Sequence, residues 1–302
     1  MSAREAAAVA PPAIGTAPRR AMVRTLLRDR AAVAGVLVLL LVVVGAVAAS
    51  WISPYDPVAV DFNHRFASPS IHHPLGTDNL GRDTLSRLLH GARLTIGLSV
   101  AATAGITVLG LGLGLVAGIY GRAADAVIMR VVDVMLSLPT LILALVVVGI
   151  LGQGLRNLII SVILVQWASY ARVVRGVALT VRERPFVEAA RALGARRSRL
   201  LLKHVLPNLI GPMVVLSTLD MGRTLLAVSG LSFLGFGAKP PTPEWGAMLA
   251  EARRFIDRAP QLLALPGMAI TIMVLAFNLA GDGLRDFLDP TLRRQVRGRA
   301  QE

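Results

Sequence analysis

Apolar residues run along this chain in long unbroken blocks. Ala31 to Trp51 is 21 residues without a charge, Leu94 to Tyr120 is 27, and Val134 to Leu155 is 22. Each is long enough to cross a hydrocarbon core of about 30 Å as a helix. With the stretches 157–171, 207–237 and 261–281 they predict six spans, the first over 31–52, the second over 94–120 and the third over 134–155. The fold class is therefore an all-α membrane protein with six transmembrane helices. Pro139, near the start of the third span, is a place for a kink whose freed carbonyl neighbouring helices can satisfy.

The polar stretches divide the rest. Residues 1–30 form a basic tail, disordered over 1–20, with a short basic helix over Met22 to Arg30. Residues 53–93 follow the first span. Pro54, Pro57, Pro69 and Pro74 make their first part irregular. Then HPLGTDNLGRDTLSRLLHGAR, His73 to Arg93, predicts a helix capped by Thr77 or Asp78. Its Leu85, Leu88, Leu89 and Ala92 form one apolar stripe, with Arg82, Asp83, Arg87 and His90 around it. That pattern predicts an amphipathic helix on the membrane surface, feeding the second span. The core then occupies 94–281, interrupted by a polar loop over 172–206. A second outer loop, 239–260, holds an amphipathic helix from Trp245 to Arg258. The sixth span breaks at Gly281 and Gly283, and 282–302 is a tail.

Composition agrees with a bilayer protein: 54% of the 302 residues are hydrophobic and 17% charged. The net charge of +14 invites a nucleic-acid reading. Its distribution argues for topology instead. In the six-span arrangement, the two tails and the loops 121–133 and 172–203 share one side and hold 22 of the 32 Lys and Arg. The positive-inside rule places that side, and both termini, in the cytoplasm. Ala46-Val47-Ala48 resembles a signal-peptidase site, but the apolar run exceeds a typical signal core, so the first span reads as uncleaved.

Several chemistries are excluded. Without cysteine there is no disulfide, Cys-ligated zinc or iron–sulfur cluster. The two lysines, Lys203 and Lys239, follow Leu202 and Ala238, so no Walker A loop exists. Gly110, Gly112 and Gly114 sit among leucines with no strand before them; with Gly105 and Gly118 they read as a close-packing face. No nucleophile elbow or zinc-protease motif occurs, and His72, His73 and Asp78 lack the spacing of a metal site. Neither a catalytic residue nor a metal site is expected.

Two features demand a function. Asp220 and Arg223 lie inside the fifth span, where ionisable residues are costly and mark a functional site, or else neutralise each other as an i, i+3 pair. With Gln166 and Ser169 they are candidates to line a polar path. The other feature is EAARALGARRSRLLLKHVLPN, Glu188 to Asn208. Glu188 to Leu193 and Arg196 to Lys203 read as two short helices hinged at Gly194, with Pro207 opening the fifth span. A positive-inside connector explains the arginines but not a loop of about thirty residues with a glycine break.

Glu188-Ala189-Ala190, Gly194 four residues on, and Val205-Leu206-Pro207 resemble the EAA motif of ABC-importer permeases. His204 departs from the Ile of the common pattern. HPLGTDNLGRDTLSRLLHGAR, LSFLGFGAKPPTPEWGAML and PGMAITIMVLAFNLAGDGLRDFLDP resemble the DppC/OppC dipeptide/oligopeptide subfamily, so the resemblance covers nearly the whole chain. Relatives often carry an acidic residue near Val228. The resemblance implies a type I importer (MetI-like) fold in the bacterial inner membrane and a coupling helix at Glu188, Ala189, Ala190 and Gly194. It implies no cofactor in this chain, with ATP and Mg bound by one or two separate ATPase subunits. A second DppB/OppB-like permease and an extracytoplasmic solute-binding protein complete the expected set. The implied cargo is a short peptide. Nickel, haem or a glycoside remain open within that class, and an ion-coupled transporter working through Asp220, or a structural anchor, outside it.

Overall fold

The computed structural model describes residues 29–194, 203 and 205–288. Its described residues are almost wholly helical and contain no strand. Most of the expected helix over Met22 to Arg30, most of the second hairpin arm over Arg196 to Lys203, His204, and the end of the C-terminal tail lie outside them.

Helix α1, Arg30–Val47, is capped by Asp29, whose carboxylate accepts from Ala31 N at 2.9 Å and Ala32 N at 3.2 Å. A short turn, α2, Ala49–Ile52, extends it. Helix α3 is longer than its apolar run: it spans Thr84–Tyr120 without a break. Thirty-seven residues reach about 55 Å, well beyond a hydrocarbon core. The predicted surface helix is thus the outer end of α3. Its cap is Asp83, accepting from Ser86 N at 2.8 Å, rather than Thr77 or Asp78.

The third expected span is two helices. Helix α4, Arg122–Ser137, and α5, Thr140–Leu151, are bent by 101° at Leu138-Pro139. Leu138 is extended, as the residue before a proline prefers, and Pro139 has no N–H to continue the ladder. By length and composition five helices are long and apolar enough to cross a membrane, and this bent pair makes up to six.

Helix α6, Leu155–Arg182, overruns the expected 157–171 and turns the start of the polar loop into helix. Val174, Ala178 and Val181 continue its buried face. Arg172 pairs with Asp133, and Arg175 Nη2 reaches Asp125 Oδ2 at 2.6 Å, so its charges are held against α4. A short helix α7, Pro185–Ala192, follows. Helix α8, Leu206–Leu231, starts with Pro207 in its first turn, tolerates Pro212, and ends in a wider π turn over Ser232–Phe236. Helix α9 covers Trp245–Ala252 and a 3-10 turn extends it to Phe255. Helix α10, Gln261–Leu288, does not break at Gly281 and Gly283. A methyl on Gly281 would lie 2.7 Å from Leu219 Cδ2, so that glycine serves contact with α8.

The most extensive contact joins α3 to α6. Side chains at Gly105, Gly110, Gly114 and Gly118 would press into Ile163, Tyr170, Ala171 and Ala178; at Gly114 a methyl would be 2.6 Å from Ala171 O. Without a hydrophobic drive between helices in lipid, such close approach is what holds them. Helix α1 packs on α10 at Gly35, and α8 lies between α10, α3 and α6. Large apolar side chains along α1, among them Leu37, Leu40, Leu41 and Val47, remain exposed.

Candidate functional site

Four of these helices line a cavity of about 390 Å³. The α4–α5 elbow contributes Thr140 and Leu141, α6 contributes Gln166 and Ser169, and α8 contributes Asp220 and Arg223. All four path residues singled out in the sequence therefore line one cavity. Arg223 Nη1 donates to Asp220 Oδ1 at 3.2 Å, which is the expected i, i+3 pair. Ser169 Oγ donates to Gln166 O at 3.0 Å, and Thr224 Oγ1 donates to Gln166 Oε1 at 3.4 Å.

Tyr170 was not foreseen. It is 1% exposed, beside Asp220, Ser217 and Thr107, yet its hydroxyl has no well-formed partner. A tyrosine among apolar neighbours reads as core, and nothing in the sequence tells that this one backs an aspartate. On the other face of α8, a larger and mostly apolar cavity of about 450 Å³ lies against α1, α3 and α10, with the Thr107 and Ser217 hydroxyls 2.9 Å apart on its wall.

The polar loop places its motif on α7. Val187 is buried and Ala190 half-buried against the α6–α8 core, while Glu188, Ala189, Ala192 and Leu193 are exposed. Leu193 is a large apolar side chain left 88% exposed. Gly194 ends the helix at φ +80°, a left-handed turn that favours glycine, and nothing lies within 4 Å of where its Cβ would be. From Gln166 to Arg182, α6 runs unbroken for about 24 Å, so cavity and exposed helix are ends of one rod.

At the N-terminal end of α3, charges expected on a surface are buried. Arg82 and Arg87 are each 2% exposed. Arg82 Nε reaches Asp78 Oδ2 at 2.6 Å, and both arginines meet Glu251 Oε2, at 2.6 and 3.1 Å. Asp78 Oδ1 also accepts from Leu80 N and Arg82 N. Glu244 caps α9, accepting from Gly246 N and Ala247 N at 2.9 Å each, and burial pushes its carboxyl above the usual range against those two bonds. Trp245 Nε1 donates to Leu88 O at 3.0 Å. The two outer segments are thereby bound into one cap. Among the described residues no group of three metal-ligating side chains occurs.

Several helices long and apolar enough to cross a membrane, a cavity that holds Gln166, Ser169, Asp220 and Arg223 among apolar side chains, and an exposed short helix beyond it fit the class of transport permeases. The profile of the family described as binding-protein-dependent transport system inner membrane component matches residues 110–294. That of the N-terminal TM domain of oligopeptide transport permease C matches residues 18–69. The chain is 42% identical to the di/tripeptide transport system permease protein DppC of Pseudomonas aeruginosa, over 94% of this chain and 95% of that protein. It is 44% identical to the nickel transport system permease protein NikC of Escherichia coli K12, over 85% and 92%. It is 41% identical to the glutathione transport system permease protein GsiD of Pectobacterium atrosepticum, over 91% and 92%. The chain belongs to the binding-protein-dependent transport system inner membrane component family and is an inner-membrane permease subunit of an ABC importer.

Proposed function

We propose that this subunit forms half of the translocation path for di- and oligopeptides, with energy arriving through α7. The observation that carries this reading is the arm: α6 bears the cavity residues Gln166 and Ser169 near its middle and leads at its C-terminal end into the exposed Glu188 helix. Six spans with both termini cytoplasmic put the basic tails and α7 on the side where ATP is. A second permease of the DppB/OppB kind faces the cavity and completes the path. One or two ATPase subunits, which hold ATP and Mg, dock on Glu188, Ala189, Ala190 and Gly194, with Pro207 fixing where α8 begins behind them. The small alanines let a partner surface come close, and Leu193 offers it an apolar anchor. Without a P-loop, this chain takes no part in hydrolysis. An extracytoplasmic solute-binding protein delivers cargo to the cap at Arg82 and Glu251. A peptide is a zwitterion, and Asp220 with Arg223 offers both signs.

The test is purification of the tagged chain in mild detergent from its own membrane, for wild type and Glu188→Arg. A P-loop ATPase is expected with the wild type, with recovery reduced at least about tenfold by the reversed charge, the loss of one charge-assisted contact. Equal recovery would reduce α7 to a connector. The nickel-permease relative supports a second cargo reading, the same importer carrying nickel. Uptake of labelled dialanine against labelled nickel separates them.

A further inference from the structure

The Asp220–Arg223 pair is unequally placed. The arginine side chain is 83% exposed and the aspartate 15%. One donor, Nη1, reaches Asp220. A guanidinium carries five donors in a fixed fork, so most remain for something in the cavity. Among the described residues no other partner of Arg223 is seen. Asp220 is held to Arg223 through Oδ1, and the Gln166 side-chain oxygen accepts from Thr224 at 3.4 Å. Behind Asp220, fully buried, the Tyr170 hydroxyl lies close to Asp220, Ser217 and Thr107 without a well-aligned hydrogen bond to any of them. A buried O–H with no partner is costly, and one beside a carboxylate is placed for a state in which that carboxylate needs a donor.

We infer that the cavity reads the carboxylate end of its cargo through Arg223, with Asp220 as the anchor that aims the guanidinium. Tyr170 is a positioning residue, donating to Asp220 when a cargo carboxylate takes the arginine fork. This rests on the cavity being the cargo path. A carboxylate fits the fork bidentately, a geometry that adds both strength and selectivity. The buried phenol then donates to Asp220 in place of what the guanidinium withdraws, so Asp220 and the cargo carboxylate are not left competing for the same N–H donors.

The test uses the complex purified with this chain, reconstituted in vesicles with its solute-binding protein and ATP. Three probes are compared: dialanine, dialanine amide and N-acetyl-dialanine. The binding protein also selects, so the reading is the change in each uptake ratio between wild type and variant. Arg223→Gln is expected to shrink the preference for dialanine over its amide about tenfold or more, leaving the N-acetyl ratio unchanged. Arg223→Lys, which keeps charge but not the fork, restores part of it. Tyr170→Phe is expected to raise KM for dialanine several-fold at constant maximal rate. The inference is overturned if Arg223→Gln moves the N-acetyl ratio, or neither ratio. It is equally overturned if Arg223→Gln and Arg223→Lys both release the second permease, which would make Arg223 an interface residue. The positioning role falls if Tyr170→Phe lowers the maximal rate and leaves KM alone. A wild-type complex that does not take up dialanine sinks the peptide reading, and this inference with it, before any variant is compared.

Discussion

Gly110 and Gly112 are two positions apart on α3 and do different work. A side chain at Gly110 would run into Tyr170 and come 3.0 Å from Trp167 O, whereas nothing lies within 4 Å of Gly112. Gly110→Val is therefore expected to push α3 off α6 and cost about 1–3 kcal/mol, the range for overpacking a close-packed site. Gly112→Ala is expected to stay within about 0.5 kcal/mol. Thermal midpoints of the two variants in the same detergent check this; equal midpoints would mean that the seam does not depend on contact at Gly110. The sequence alone marked both glycines as packing residues, since composition shows that a stripe of small residues exists. It does not tell which of them meets a neighbour, because that depends on the rotation of α3 about its axis.

Among elements, those with a long apolar run were legible and their ends were not. The bilayer imposes length, so α1, α8 and α10 follow from hydropathy. Helix α6 extends past Arg172 because Asp133 and Asp125, 39 and 50 residues away, hold its arginines. The same blindness hid the outer cap. Arg82 and Glu251 are 169 residues apart, and an arginine beside a leucine stripe looks like a solvated face. Four residues of the cavity were legible because polar groups inside a span must face protein or water. Tyr170, Thr224 and the elbow residues were not, since they are ordinary for a span. The cap yields its own prediction. Glu251 is a shared partner of two buried guanidinium groups. Removing one member of a buried pair costs about 3–5 kcal/mol, because it leaves charge uncompensated. Glu251→Ala is expected to free the 239–260 segment, seen as faster amide exchange over α9 with α6 unchanged. Arg87→Ala in the same chain should add less than its cost alone, as contacting members of one network do. Simple additivity would show that Glu251 and Arg87 act independently.

At the scale of the whole molecule, the proposed function requires that a motion at α7 reach a cavity about 24 Å away. Helix α6 is the direct route, since it bears Gln166 and Ser169 near its middle and leads into α7 at its C-terminal end. A lever transmits only if it is stiff. The α3 seam stiffens α6 on one side, through the close contacts at Gly114 and Gly118, and the Asp125 and Asp133 pairs do so on another. Its outer positions Val173 and Thr180 are exposed, so changing them disturbs little packing. Glycine at both positions costs the helix a few tenths of a kcal/mol each against Val and Thr, and about 1 kcal/mol each against the alanine control, and leaves the buried face intact. Val173→Gly with Thr180→Gly is thus expected to keep the chain folded and the ATPase bound, while cargo moved per ATP hydrolysed falls several-fold. Alanine at the same two sites, which favours helix, is the control and should match wild type. The measurement is uptake and phosphate release in one vesicle preparation. If the glycine pair lowers both rates in proportion, α6 is not the lever. The motion would then run through α8, which begins at Leu206 and Pro207 beyond the same loop and carries Asp220 and Arg223 itself.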